Sequence, residues 1–244
     1  MKQHFINELD SLRSQISAQG ELAERAIHNA IQAFSSGDTE LARRVMAHDE
    51  IIDREEIRIE EECLKLLALY QPVAGDLRTV ISCIKINTAL ERMADFGCHI
   101  AERAILVAGL PALPGQEMFD FEPMELLTLG MLRDTLLAIR HDDLLLAHKV
   151  IDRDDAVDAM RSDHRTHARA AILNCPAAVE YYVSCIGLAR DLERIADLAT
   201  DICRQLIYLR TGCITRHKSD WIDDWELLKS RTSEQSRISK RKGV

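Results

Sequence analysis

The 244-residue chain has few aromatic residues and few prolines. Aromatic side chains make up 5% of it, and it contains five prolines. No stretch shows sustained alternation of apolar and polar residues, and neither Asn-Gly nor Asp-Gly occurs as a hairpin signal. Apolar residues nevertheless reach 47%, with Leu, Ile and Ala abundant, which favours packed helices over a β-sandwich. We therefore predict an all-α protein with a full hydrophobic core.

Long apolar runs are also missing. None approaches the roughly 20 residues that a membrane-spanning helix requires. The opening segment, MKQHFINELDSL, lacks the apolar centre of a signal peptide. The formal net charge of −9 argues against nucleic-acid binding through broad neutralisation of phosphates. We expect a soluble, cytoplasmic protein that neither inserts into a membrane nor binds nucleic acid.

Cysteines are present, but not in a pattern that indicates disulfides or thiolate zinc sites. There are seven of them, an odd number at irregular spacing, and none forms a Cys-x-x-Cys pair. Most lie among apolar residues, where cysteine behaves as a small core side chain.

The chain contains an internal repeat. Residues 81–101 (ISCIKINTALERMADFGCHIA) and 183–203 (VSCIGLARDLERIADLATDIC) align at an offset of 102. Each copy contains Glu-Arg-x-Ala-Asp, with Glu91 and Asp95 in the first and Glu193 and Asp197 in the second. On a helix, positions i and i+4 lie on one face, a turn apart. The repeat therefore predicts a duplicated fold with a pair of acids in each half.

Helical periodicity and turn residues divide the chain into six helices, three in each half. We place them at about residues 5–34, 39–69, 72–107, 123–140, 144–173 and 176–209. This predicts two tandem antiparallel three-helix bundles. The predicted organisation is a first repeat (1–108), a Pro/Gly linker (109–122), a second repeat (123–212) and a polar, basic C-terminal tail (213–244).

The second helix of each half also has an acid pair, and all four pairs interrupt apolar seams. These pairs are Asp49 with Asp53, and Asp154 with Asp158. Burying several carboxylates together is costly unless positive charge compensates them. Arg92 and Arg194 adjoin the acids, but adjacent helix residues point apart, so we expect little neutralisation from them.

A cation cluster compensates such acids better. Oxygen donors suit Mg²⁺, Ca²⁺, Mn²⁺ or iron, and small residues such as Ala94 and Gly97 leave room. Glu56 has Arg161 as its repeat partner, so the two sites should differ. The competing interpretation is that the acids form ordinary solvated helix faces.

Features of an enzyme are missing. No nucleophile with an adjacent base, Gly-rich phosphate loop or Gly-x-Ser-x-Gly motif occurs. We expect a non-enzymatic regulatory adaptor. A carboxylate-bridged oxidase is the alternative, although Glu-x-x-His is missing from the seams. A second alternative is a purely structural helical scaffold.

Three motifs resemble the PhoU family, which serves as accessory and regulatory protein of the phosphate-specific transport system. They are DEIIDREEIRIEEECLKLLALYQPVAGDLR (49–78), LERMADFGCHIAERA (90–104) and LERIADLATDICRQLIYL (192–209). The resemblance covers about residues 5–217 in order and implies two three-helix bundles about a pseudo-twofold axis.

The resemblance also implies ligands and partners. Metal ions, above all iron, with Mn, Mg or Zn possible, would be held at two carboxylate sites. The implied ligands are Asp49, Asp53, Glu91 and Asp95 at one site, and Asp154, Asp158, Glu193 and Asp197 at the other. The implied partners are the sensor histidine kinase of the phosphate response and the ATPase and membrane subunits of the phosphate ABC transporter. The implied role is to keep the phosphate-starvation response off when phosphate is plentiful, and the implied assembly is a homodimer.

Overall fold

A computed structural model describes residues 2–212, and within this range all regular structure is helical. The helices are α1 (Lys2–Ser36), α2 (Thr39–Tyr70), α3 (Ala74–Ala108), α4 (Glu122–His141), α5 (Leu144–Asp152), α6 (Asp154–Asn174) and α7 (Val179–Thr211), with a 3₁₀ turn at Pro176–Ala178. The all-α prediction is confirmed. The proposed C-terminal tail, 213–244, lies outside the described residues.

The same turn chemistry begins the second helix of each half. Gly37 and Asp142 both adopt left-handed backbone conformations, with φ of 69° and 58°. The residue after each is an aspartate whose carboxylate caps the next helix. Asp38 accepts from Leu41 N at 2.9 Å, and Asp143 accepts from Leu146 N at 3.0 Å. The duplication inferred from the acid motifs therefore extends to the helix turns.

The predicted fifth helix is divided at Arg153 into α5 and α6. At this point the backbone switches to tighter i→i+3 bonding, since Arg153 N donates to Val150 O and Ala156 N donates to Arg153 O. The Arg153 side chain forms an ion pair with Asp134 on α4. The interruption makes Asp154 the first residue of α6.

Prolines precede their helices by a short distance. α3 begins at Ala74, two residues after Pro72, and both Gln71 and Ala74 adopt positive φ. Pro176 opens the 3₁₀ turn, and α7 follows from Val179. Both prolines mark the helix starts as predicted, but each start lies a few residues later.

The two halves pack together through α3 against α7 and α1 against α4. At the first contact, Arg103 on α3 donates from Nε to Asp191 Oδ2 on α7 at 2.9 Å. Asp191 is fully buried. The guanidinium passes directly over Gly187, where an added Cβ would lie 2.3 Å from Arg103 Nη1. A glycine in α7 thus makes room for an ion pair that connects the halves.

Residues 109–121 connect α3 to α4 and are held against α7 by two tyrosines. The Tyr182 hydroxyl accepts from Glu117 N at 3.0 Å, and the Tyr181 hydroxyl accepts from Phe119 N at 3.4 Å. Phe121 stacks on His164 of α6, with ring centroids 4.4 Å apart. The connection is therefore packed on the second half.

The six cysteines within residues 2–212 are free, and Cys63, Cys83, Cys185 and Cys203 are buried. None of the helices in that range has the length and apolarity needed to cross a bilayer.

Candidate functional site

In the first half, α2 and α3 bring their acid pairs together across the helix contact. Asp49, Glu91 and Asp95 are half-buried, whereas Asp53 is exposed. Glu56, one turn beyond Ile52, is also half-buried and belongs to this group. We call these five residues the first acid cluster. Asn87 fixes the helix contact, since its amide donates to Glu56 O at 2.8 Å.

Burial and mutual repulsion act on the first acid cluster. Burial, followed by the negative charges of Asp95, Glu56, Asp53 and Asp49, raises the pKa of Glu91 to about 7. Burial also raises the pKa of Asp49, with Asp53 and Asp95 adding to the effect. These carboxylates therefore lie close enough together for their negative charges to hinder ionisation of Glu91 and Asp49.

Cys98 is a member of the first site that the sequence analysis treated as a core residue. Its thiol is hydrogen-bonded to the Asp49 carboxylate. The signal was present in the sequence, because Cys98 lies one turn after Asp95 and one position beyond Gly97 on the seam of α3. His99, one turn after Asp95 on α3, is exposed, and positive charge on its imidazole favours ionisation of Asp49.

In the second half, α6 and α7 bring together the other four acids. We call Asp154, Asp158, Glu193 and Asp197 the second acid cluster. Burial, followed by the negative charges of Asp197 and Asp158, raises the pKa of Asp154 to about 6. Glu193 is buried, and its Oε2 atom lacks a hydrogen-bond partner. Asp158, like Asp53 in the first half, is exposed.

The second acid cluster contains its own cations. Arg161 Nη1 lies 3.6 Å from Glu193 Oε1, at the repeat position where the first half has Glu56. Arg194 Nη1 donates to Asp197 Oδ2 at 3.1 Å and Arg194 Nε lies 3.9 Å from Glu193 Oε2. The expectation that Arg194 points away was therefore wrong, because an arginine is long enough to reach position i+3 on its own helix.

Gly97 also has a different role from the one expected. An added Cβ would lie 3.4 Å from Ile27 N, in ordinary contact with the backbone of α1. Its small size serves the close packing of α1 on α3 and leaves the acid cluster unaffected. Ala94 is likewise fully buried in the core.

The carboxylates are neighbours without forming a closed ligand set. Within residues 2–212, no three His, Cys, Asp or Glu side chains are arranged so that they could hold an ion as they stand. The donor chemistry still suits a hard cation, because every candidate ligand offers oxygen and the buried Glu193 Oε2 atom lacks a hydrogen bond, with Arg194 Nε 3.9 Å away. Metal binding at the eight predicted residues stays a prediction.

Two tandem three-helix repeats, each with acids facing one another across its last two long helices, define a class of duplicated all-α proteins. A family model described as "PhoU domain" matches residues 16–104 and 121–206. The chain belongs to the PhoU family.

Relatives resemble the chain over most of its length. A "Phosphate-specific transport system accessory protein PhoU homolog" from Aquifex aeolicus (strain VF5) is 36% identical, over 88% of this chain and 96% of the relative. The corresponding "PhoU homolog 1" from Thermotoga maritima is 31% identical, over 86% of this chain and 90% of the relative.

Solved structures share the fold. The crystal structure of PhoU from Pseudomonas aeruginosa has a TM-score of 0.81 at 32% identity, covering 86% of this chain and all of that one. A "phosphate transport system regulatory protein PhoU" from Streptococcus pneumoniae has a TM-score of 0.79 at 28% identity, covering 87% of this chain and all of that one. The two-bundle architecture predicted from the internal repeat is thereby confirmed.

Proposed function

We propose that this protein is a cytoplasmic, non-enzymatic regulator of phosphate uptake that keeps the phosphate-starvation response off when phosphate is plentiful. It would do so by linking the phosphate ABC transporter to its sensor histidine kinase, as a homodimer. The observation that carries the proposal is the match of both repeats to one family whose named members are accessory or regulatory proteins of phosphate transport.

The regulatory role is tested by deleting the gene and measuring transcription of phosphate-starvation genes in phosphate-rich medium. We expect high, constitutive expression in the deletion strain and repression after complementation with the wild-type gene. Repression that persists in the deletion strain would refute the regulatory role. Co-purification with the sensor kinase and the transporter ATPase from the complemented strain tests the two partners directly.

We further propose that the acid clusters bind metal ions, with the first cluster binding more tightly. Five carboxylates lie near one another there, and the one positive group that acts on Asp49 is the imidazole of His99, while none acts on Glu91. In the second cluster, Arg161 already forms an ion pair with Glu193, and Arg194 forms one with Asp197. A bound cation supplies positive charge, so its binding is most favourable at the cluster where the protein's own side chains supply the least positive charge. Iron is the expected ion, with Mn, Mg or Zn as alternatives.

Elemental analysis of the purified protein tests the metal sites. Replacing Glu91 and Asp95 together with Ala should lower the metal content by about half, because the second cluster keeps its own ligands. The matched control replaces two exposed glutamates of α2, Glu50 and Glu61, with Ala and should leave the metal content unchanged. Wild-type protein with only trace metal, and a melting temperature insensitive to chelators, would contradict metal binding and favour the structural-scaffold alternative.

If the protein is instead an oxidase, it should turn over peroxide or oxygen. Peroxide or oxygen consumption by the iron-loaded protein would support it, and its absence alongside normal metal content would favour the adaptor.

A further inference from the structure

A cavity of about 430 Å³ lies between the two halves, away from both acid clusters. α1 and α3 form one wall, and the ends of α4 and α7 form the other. Its volume falls within the range of roughly 300–1,000 Å³ that is usual for small-molecule sites. None of the eight predicted metal ligands lines it.

Three arginines converge on this cavity. They are Arg13 from α1, Arg140 from α4 and Arg210 from α7, and two carboxylates, Glu21 and Asp142, accompany them. Arg140 pairs with Glu21, and Arg210 pairs with Asp142. Both pairs are about half exposed, and such pairs contribute little and exchange partners readily.

The third arginine leaves the positive charge in excess. Arg13 pairs only loosely with Asp10, at 3.6 Å on the outer surface of α1. Burial, followed by the positive charge of Arg13, lowers the pKa of the Arg210 guanidinium, so the two arginines lie near each other. Two guanidinium groups facing a common cavity repel each other, and an anion between them removes the repulsion.

Hydroxyl groups line the wall beside the arginines. Ser82 of α3 is fully buried, and its Oγ atom lacks a hydrogen-bond partner. Ser14 and Ser17 of α1 and Thr79 of α3 also reach the cavity. A buried hydroxyl without a partner is uncommon in a folded protein and calls for an explanation. Here it offers a donor to a ligand oxygen.

The remaining wall is apolar. Ile16, Ile86 and Leu206 are buried side chains that border the cavity. The cavity therefore has a cationic, hydroxyl-rich end and an apolar side. Guanidinium groups recognise phosphate through paired N–H donors, and the apolar side suits a small organic body attached to it.

We propose that this inter-repeat cavity binds a small phosphate-bearing anion, held by Arg13, Arg210 and Ser82. Inorganic phosphate and a phosphomonoester share the recognised group and differ in whether the apolar side is filled. The proposal rests on the cavity and does not depend on metal binding or on the kinase and transporter as partners.

Calorimetric titration of the full-length protein tests the proposal, with inorganic phosphate and phenyl phosphate as separate probes. The buffer contains EDTA and little salt, so that metal-bridged binding is excluded and screening is weak. We expect saturable binding, tighter for phenyl phosphate if the apolar side is used. Equal affinities would show that the phosphate group alone is recognised and that the apolar side contributes nothing. Absence of saturable heat for both probes at concentrations up to about 10 mM would overturn the proposal.

Substitutions locate the site. Arg13→Gln and Arg210→Gln should each weaken binding by about tenfold, the value of one charge-assisted interaction. The matched control is Arg43→Gln, since Arg43 is an equally exposed arginine on α2 that does not line the cavity. Equal weakening by the control would overturn the assignment. If Arg210→Gln lowers the melting temperature, Arg13→Gln alone decides, because Arg13 lies on the surface of α1.

Ser82→Ala separates a binding role from a structural one. Because the hydroxyl has no partner within the protein, its removal should leave the melting temperature unchanged. Binding should weaken by about threefold if Oγ donates to the anion. Unchanged affinity would remove Ser82 from the site, and a lower melting temperature would contradict its being unpartnered. Failure of these titrations would leave the transcriptional test of phosphate regulation unaffected.

Discussion

At the scale of single residues, the second half differs from the first by a few arginines. Arg161 stands where the repeat has Glu56, and Arg194 reaches Asp197 on its own helix. Both residues are visible in the sequence, but their effects differ in predictability. The exchange of Glu56 for Arg161 follows from aligning the repeats. The reach of Arg194 depends on its rotamer, which helical spacing alone does not determine.

Gly187 offers a test at the same scale. In Gly187→Ala the new methyl group would displace the Arg103 guanidinium and leave the buried Asp191 carboxylate without its 2.9 Å partner. We expect a loss of about 1–3 kcal/mol in the free energy of unfolding, measured by urea denaturation.

Gly130→Ala is the control for this change. Gly130 also lies inside a helix, but the nearest atom to its added Cβ is 3.9 Å away, at Arg153 Nη1. It should be neutral or slightly stabilising, because alanine favours helices. If Gly187→Ala changes the free energy of unfolding as little as Gly130→Ala does, Arg103 moves without cost and its ion pair with Asp191 contributes little to stability.

At the scale of elements, helix existence followed from the sequence more readily than helix continuity. Glycine, proline and capping aspartates marked most boundaries to within a few residues. The break at Arg153 has no such signal. It depends on the Arg153 side chain pairing with Asp134 of a different helix, and on a local switch to i→i+3 bonds. Contacts between helices, and not local helix propensity, therefore account for the break in the predicted fifth helix.

The α2–α3 pair predicts a dependence of stability on pH in the metal-free protein. Folding raises the pKa of Glu91 from its ordinary value of 4.5 to about 7. The folded state therefore holds its proton more tightly than the unfolded state does. This stabilisation is complete below about pH 4.5 and is lost as the pH rises through about 7. Asp154, with a pKa of about 6, acts in the same direction.

Thermal melting in EDTA measures this effect. Between about pH 5.5 and pH 8 we expect the midpoint of Glu91→Gln to fall by about 2–4 °C less than that of the wild type. Gln keeps the shape of the side chain and removes its charge. Identical pH profiles for the two proteins would show that Glu91 is well solvated and does not resist ionisation.

At the scale of the whole molecule, duplication was the most predictive property of the sequence. An offset of 102 residues was enough to infer two bundles, and the acid pairs then indicated which helices face each other. The inter-repeat cavity was not predictable in this way. Its arginines come from α1, α4 and α7, and share no motif or spacing. Only the packing of one half on the other brings them together.

The contact of Arg103 with Asp191 over Gly187 also restricts how this protein can evolve. A side chain at 187 meets the Arg103 guanidinium, and loss of Arg103 leaves the buried Asp191 carboxylate with Arg190 alone, whose Nε lies 3.6 Å from Asp191 Oδ1. We therefore expect positions 103, 187 and 191 to change together rather than singly in relatives, because their contact joins α3 of one half to α7 of the other.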